Sequence, residues 1–178
     1  MYYFGFHFIS QIMALTFIID KDTVPVREFK NVIFAGTFDR LHAGHFAFFE
    51  ASVKYIVNNG LIQVGFSGDA LLQRKSNKQL IFPIQQRMDA ASAVIIQQAT
   101  RFNKQIQLKT FQIDKPEGNC LDEDFEDCLL LVSEETAPGV PAINAKRLEK
   151  GFQELSVGII KLVVGENGAK LSSSDLRK

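Results

Sequence analysis

The chain of 178 residues is long enough for one domain with a sizeable hydrophobic core. Its content of 46% hydrophobic and 22% charged residues is that of a globular protein and excludes a disordered chain. Twenty acidic and twenty basic residues cancel, so the overall charge favours neither nucleic acid nor an anionic membrane as a partner, and any anion site must be local.

Residues 2–19 form a stretch without Lys, Arg, Asp or Glu. The stretch lacks the basic start and the cleavage site of a signal peptide, and it is marginal for a membrane span, which needs roughly 20 apolar residues. We therefore expect residues 1–30 to be an extension that packs on the domain or on a partner, with a membrane anchor as the less favoured alternative. Residues 31–178 are expected to form the domain. Two cysteines, Cys120 and Cys128, predict buried free thiols in a cytoplasmic protein.

From residue 31 onwards, two hydrophobic periods alternate along the chain. In chain order, the first half predicts a buried strand over 31–36, a helix over 45–60 ending in Asn-Asn-Gly, a strand over 61–68 and a helix over 83–102. The second half predicts strands over 105–113 and 128–133, a helix over 139–152, a strand over 157–164 and the start of a helix over 172–178. Strands that alternate with helices are typical of a doubly wound α/β domain, a parallel sheet covered on both faces.

The stretch GTFDRLHAGH (36–45) lies where the first strand ends and the first helix begins. Ligands of a doubly wound sheet bind beyond the carboxyl ends of its strands, Gly36 permits a sharp turn, and the helix N-terminus attracts an anion. We therefore predict that His42 and His45 bind phosphate. A zinc site is disfavoured because only the distant His7 adds a further imidazole, and no nucleophilic Ser or Cys accompanies the pair. Histidines that only cap the helix remain an alternative.

Four stretches of the sequence resemble known signatures. GTFDRLHAGH resembles the T/HxGH signature of the nucleotidylyltransferase superfamily, and KLSSSDLRK (170–178) resembles the phosphate-binding stretch of the same superfamily. LLLVSEETAPGVPAINAKRLEKGFQEL (129–155) and GDALLQRKSNKQLIFPIQQR (68–87) are similar to the eukaryotic and archaeal branch of phosphopantetheine adenylyltransferase. The resemblance covers residues 31–178 and implies a single-domain, Rossmann-like nucleotidylyltransferase fold.

The resemblance also implies a reaction. Enzymes of this branch transfer AMP from ATP to 4′-phosphopantetheine, giving dephospho-coenzyme A and pyrophosphate in coenzyme A biosynthesis. The implied partners are these small molecules, with Mg²⁺ carried on the phosphates of ATP, and the oligomeric state is left open. Two alternatives remain: another small-molecule nucleotidylyltransferase of the superfamily, and a non-catalytic relative that binds a nucleotide or a pantetheine compound.

The same resemblance assigns site residues. His45 is expected to contact the α-phosphate, His42 to hold the triphosphate, and Thr37 to seat the acceptor phosphate. Lys75 resembles a mobile catalytic cation, for which Arg74 and Lys78 remain alternatives. Further binding residues are expected at the same mouth: Gly36, Phe38, Arg87, Ser133, Glu134, Glu135, Thr136, Asn144, Arg147, Lys170, Ser172, Ser173, Ser174 and Arg177.

Two groups of these residues have an equally open alternative. Residues 133–136 could equally form a loop and a helix cap, and Asn144 with Arg147 could be an ordinary exposed pair three residues apart on a helix. The terminal helix over 172–178 is too short to be stable alone. Either the natural chain continues beyond Lys178 or this helix forms when ATP binds.

Overall fold

The computed structural model describes residues 14–20, 22–73, 75–161 and 177. Within these residues the fold is one parallel sheet with the strand order β1-β6-β5-β2-β3-β4. The strands are β1 Thr16–Ile19, β2 Phe29–Gly36, β3 Ile56–Ser67, β4 Ile106–Ile113, β5 Cys128–Ser133 and β6 Ser156–Ile160. The predicted parallel, doubly wound α/β architecture is thus confirmed.

Helices cover both faces of the sheet. They are α1 Ala43–Tyr55, α2 Asp69–Leu72, α3 Ile84–Arg101 and α4 Val140–Glu149, with short 3₁₀ turns at Lys78–Leu80 and Ala137–Gly139. Alternate residues of a strand point to opposite faces. Accordingly, Val32 and Phe34 of β2 pack in a core with α1 and α3, whereas Ile33 packs in a second core with α4. Among the described residues, no helix is both long and apolar enough to span a membrane.

The largest departure from the predicted elements follows α1. The helix ends at Tyr55, and β3 begins at Ile56, in a stretch predicted to continue the helix to residue 60. The apolar spacing of Ile56 and Val57 fits either structure, and β-branched residues favour the strand. Pairing decides the outcome, because Ile56 is fully buried and lies opposite Phe29 of β2.

The sheet also gains an edge strand from the segment expected to be an extension. β1 lies within residues 1–30 and pairs in parallel with β6 over four positions, from Thr16 opposite Val157 to Ile19 opposite Ile160. Only the part of the predicted strand 157–164 up to residue 161 is described, and the predicted helix over 172–178 lies outside the described residues except for Arg177.

Candidate functional site

The sheet reverses its direction of winding between β2 and β5. From β2 the chain winds outwards through β3 to β4, and it then returns to β5, on the other side of β2, and continues to β6, which pairs at its outer side with β1, the first strand of the chain. At such a switch point the connections after the two central strands diverge and leave a crevice beyond their carboxyl ends. Residues 36–45 follow β2 and residues 133–136 follow β5, so both predicted segments border this crevice.

The turn between β2 and α1 is held in an unusual backbone conformation. Phe38 has a φ of 49° and Arg40 a φ of 45°, in the left-handed region that costs a side-chain-bearing residue about 1 kcal/mol or more. The buried ring of Phe38 opposes this cost through edge contacts with Phe34 and Phe66, at centroid distances of 5.8 and 5.4 Å. Gly36 is required here, because a Cβ would lie 2.8 Å from Cζ of Phe38.

The two histidines of the motif occupy the first turn of α1. His42 is the N-cap: its Nδ1 accepts a hydrogen bond from Gly44 N at 3.2 Å, and its carbonyl accepts one from His45 N at 2.8 Å. Capping therefore fixes the His42 ring and leaves a proton on Nε2 in the neutral tautomer. The His45 ring stacks on it with centroids 4.0 Å apart, so both imidazoles lie at the positive end of the helix.

Burial governs the charge of His45. Desolvation, reinforced by neighbouring His42 and opposed by Asp39, lowers the pKa of His45 to about 3. Its Nδ1 is buried and has no hydrogen-bond partner among the described residues. The free ring is therefore neutral at physiological pH, and we take Nε2 as the nitrogen available to a bound anion.

This pKa makes a prediction about stability. His45 stays neutral in the folded protein down to about pH 3, but in the unfolded chain it takes up a proton near pH 6.5. The free energy of unfolding therefore decreases as the pH falls from about 6.5 towards 3. We expect the loss of unfolding free energy between pH 7.5 and 5 to be about 1–2 kcal/mol smaller in His45→Gln than in the wild type. Urea unfolding at the two pH values measures it, and equal losses in both proteins would contradict the assignment.

Asp39 connects this turn to the end of the chain. Its carboxylate is fully buried and accepts hydrogen bonds from Arg40 at 2.8 Å, from Arg177 at 3.1 Å and from the Phe82 backbone N–H at 3.1 Å. The Arg177 carbonyl in turn accepts a bond from the Asn77 side chain at 3.0 Å. Position 177 is thus brought against the first motif, 138 residues away in sequence.

Arg87 stabilises the same turn from α3. It is 3% exposed, and its guanidinium donates to the carbonyls of Thr37 at 2.7 Å, Ser67 at 3.0 Å and Phe82 at 2.9 Å. Thr37 follows β2 and Ser67 ends β3, so the contacts join the carboxyl ends of two adjacent strands. Arg87 thus lies at the predicted edge of the sheet, but its guanidinium binds backbone carbonyls and stabilises the turn.

A cavity of about 660 Å³ opens beside His45 and Gly36. Its walls are the carboxyl halves of β2 and β5, the segment 116–121 and the start of α4. Most of the lining is apolar, with polar groups contributed by residues such as Asn119 and Lys146. Sequence reasoning did not identify this wall, since segment 116–121 is irregular and carries no motif.

The turn after β5 also borders the cavity. Ser133, Glu135 and Thr136 line it, whereas Glu134 does not. The Thr136 hydroxyl accepts from Ser133 N at 3.0 Å and lies 3.2 Å from the Ser133 carbonyl, so it closes the turn. The segment is therefore a structural turn that also lies on the cavity wall.

Two predicted binding residues lie elsewhere. Asn144 pairs with the backbone of Leu155, its amide donating to O and accepting from N, both at 3.0 Å. Arg147 is fully buried among the carbonyls of Cys120, Glu123 and Gln153. These contacts lie near the amino ends of β5 and β6, at the edge opposite the histidines, which corrects both the prediction of substrate contact and its alternative of an exposed pair.

The remaining predictions divide into two groups. The first group lies within the described residues. Phe38 lines the cavity but is 4% exposed and belongs to the core. Lys75 and Lys78 follow α2 and are exposed, and Lys78 donates a hydrogen bond to the Gln73 side chain at 2.6 Å. Five residues lie outside the described part of the chain: Arg74, Lys170, Ser172, Ser173 and Ser174.

Comparison with known proteins agrees with this arrangement. The family model described as Cytidylyltransferase-like matches residues 33–178. The chain belongs to the cytidylyltransferase-like family. Within this family the chain is 29% identical over 153 residues to a protein from Methanopyrus kandleri named phosphopantetheine adenylyltransferase, covering 86% of this chain and 92% of that protein.

Two further likenesses extend the comparison. This cytidylyltransferase-like chain is 32% identical over 169 residues to an uncharacterized protein from Schizosaccharomyces pombe, covering 89% of this chain but 51% of the yeast protein. It also resembles a crystal structure of a protein of unknown function from Archaeoglobus fulgidus, with a TM-score of 0.58, 24% identity and coverage of 80% of this chain and 99% of that one. The latter likeness concerns the fold alone. The family inferred from the motifs is thus confirmed.

Proposed function

We propose that this protein is a phosphopantetheine adenylyltransferase, which transfers AMP from ATP to 4′-phosphopantetheine and releases pyrophosphate. The observation that carries the proposal is the stacked pair His42–His45 at a helix N-terminus, opening on a largely apolar cavity at the switch point of the sheet. The name of the Methanopyrus kandleri relative supports the choice of substrates. A cytoplasmic location is part of the same proposal.

The chemistry requires donors more than an acid or a base. The acceptor phosphate is already ionised at neutral pH and can attack the α-phosphate of ATP directly. The protein must hold two anions in line and stabilise the charge that develops during transfer. A bound triphosphate raises the pKa of an adjacent imidazole, since negative charge favours the protonated form. His45, neutral in the free protein, would thus become a stronger donor when the substrates are in place.

The cavity suits the acceptor better than the nucleotide phosphates. An elongated molecule with a phosphate at one end would place that phosphate at Gly36 and His45 and its uncharged arm against Ile33, Leu130 and Val140. Apolar walls with a few polar groups are typical of small-molecule sites. In this orientation the triphosphate of ATP would bind at the first turn of α1.

Magnesium is proposed to arrive with ATP. The carboxylate nearest to the histidines in sequence, Asp39, is fully buried and committed to Arg40, Arg177 and the Phe82 backbone. Among the described residues, no three His, Cys, Asp or Glu side chains form a group that could hold a metal. Phosphate oxygens and water would then supply most of the ligands, the usual arrangement for Mg²⁺ at nucleotide sites.

The proposal is tested by turnover with purified protein, ATP, Mg²⁺ and 4′-phosphopantetheine. We expect dephospho-coenzyme A by mass detection, with pyrophosphate released in equal amount. A parallel panel with FMN and glycerol phosphate as acceptors distinguishes other nucleotidylyltransferases. Binding of ATP with no release of pyrophosphate from it in the presence of any of these acceptors would identify a non-catalytic relative and refute the proposal.

A further inference from the structure

The segment that forms one cavity wall has little structure of its own. Residues 114–127 run from the carboxyl end of β4 to the amino end of β5 and contain neither a helix nor a strand. Their internal backbone hydrogen bonds are isolated turns, such as Gly118 N to Lys115 O at 3.0 Å and Cys120 N to Glu117 O at 3.1 Å. The position of this wall therefore depends on contacts with other elements.

Arg147 of α4 supplies the central contact. Its Nη1 donates to the carbonyls of Cys120 and of Glu123, the latter at 2.9 Å, and its Nε donates to the Gln153 carbonyl at 2.7 Å. The side chain is fully buried, with its guanidinium near the Phe125 ring, 5.6 Å from the centroid. One side chain thus joins the cavity wall to the turn between α4 and β6.

Only arginine fits these contacts. Its planar fork directs several N–H groups at once, whereas the single ammonium of lysine cannot reach three carbonyls on two separate segments. Buried carbonyls without a donor are costly, so the segment would shift towards water if the fork were lost. Cys120, a direct partner of Arg147, itself lines the cavity.

Lys150, one helical turn along, makes a second and weaker contact with the same segment. Its Nζ donates to the Leu121 carbonyl at 2.7 Å from an exposed position. Leu121 also lines the cavity. The two cations therefore hold adjacent residues of the same wall, one buried and one at the surface.

We infer that Arg147 is a positioning residue for acceptor binding: it acts at the edge opposite the histidines and fixes residues 116–121, one wall of the cavity that is proposed to hold the acceptor arm. The inference rests on the proposed function. Among the described residues, Arg147 contacts the segment 120–125 and the turn 152–153 and not α1. Loss of these contacts should therefore raise the KM for 4′-phosphopantetheine and leave the KM for ATP unchanged.

The test measures both KM values, kcat and amide hydrogen exchange. In Arg147→Lys we expect the KM for 4′-phosphopantetheine to rise about tenfold, the scale of losing one charge-assisted hydrogen bond, with the KM for ATP within twofold of the wild type. Exchange of the backbone amides of residues 117–121 should accelerate, while that of α1 stays unchanged. Lys150→Met, which removes the surface contact and keeps the fold, should raise the acceptor KM about threefold, for a weaker exposed bond.

Arg101→Lys is the matched control, because it makes the same change at an exposed site on α3, where the side chain is 65% exposed. If the wild-type protein does not turn over 4′-phosphopantetheine, both the proposed function and this inference are refuted. An active wild type whose Arg147→Lys and Lys150→Met variants keep the acceptor KM overturns the inference alone. Lower kcat and stability with both KM values unchanged would equally overturn it, since that result indicates a purely structural role.

Discussion

Replacing His45 by alanine is expected to lower kcat by roughly two to three powers of ten, the cost of losing one donor to the developing charge of a transition state. The ring stacks 4.0 Å from His42 and lines the cavity at Gly36, so it lies where the two phosphates would meet. Steady-state turnover with ATP and 4′-phosphopantetheine measures the effect, and circular dichroism checks the fold.

Two further variants make the His45 prediction specific. His45→Gln retains an N–H donor near the position of Nε2 and should recover part of the loss. His7→Ala makes the same chemical change outside the motif and should keep wild-type turnover. Full activity in His45→Ala would show that the reaction needs no donor from this ring and would remove His45 from the site.

Local patterns were sufficient for the frame of the site. The apolar runs at 31–36 and 128–133 predicted the two central strands, which the structure has as β2 and β5, because a strand buried on both faces needs a continuous run of apolar residues. A parallel sheet then places the residues that follow these strands at one edge. The sequence therefore predicts the placement of His42 and His45 at this edge, where the structure has them in the first turn of α1.

The supporting contacts could not be predicted in this way. Arg87 and Arg147 were expected to face a ligand, yet each is buried and donates to several backbone carbonyls. A charged residue in a sequence is ordinarily exposed or functional, and nothing local reveals that a distant loop will supply its acceptors. The same holds for β1, since the uncharged run before Asp20 does not show that it will pair with β6.

The structural role of Asp39 is not predictable from the sequence for a related reason. Two of its three hydrogen-bond partners, at positions 82 and 177, are remote in sequence, and only the one at position 40 is adjacent. The Asp39–Arg177 pair is the most deeply buried ion pair of the described residues, with side-chain exposures of 0% and 2%. By contrast, the Arg40 side chain in the neighbouring pair is 23% exposed. The buried pair therefore carries most of the energetic consequence of losing the Asp39 charge.

Asp39→Asn should consequently lower the free energy of unfolding by about 3–5 kcal/mol, because it removes the negative charge from a buried ion pair while hardly changing the side-chain volume. Urea unfolding measures the loss. Arg40→Ala, which removes the partly exposed partner together with its bond to the Leu80 carbonyl, should cost less, about 1–2 kcal/mol. In the double variant Asp39→Asn with Arg177→Met, the buried charge is gone, so the total loss should fall well short of the sum of the single losses. Strict additivity would instead mean that the two segments contribute independently, and that the first motif and position 177 are not energetically joined at the mouth of the site.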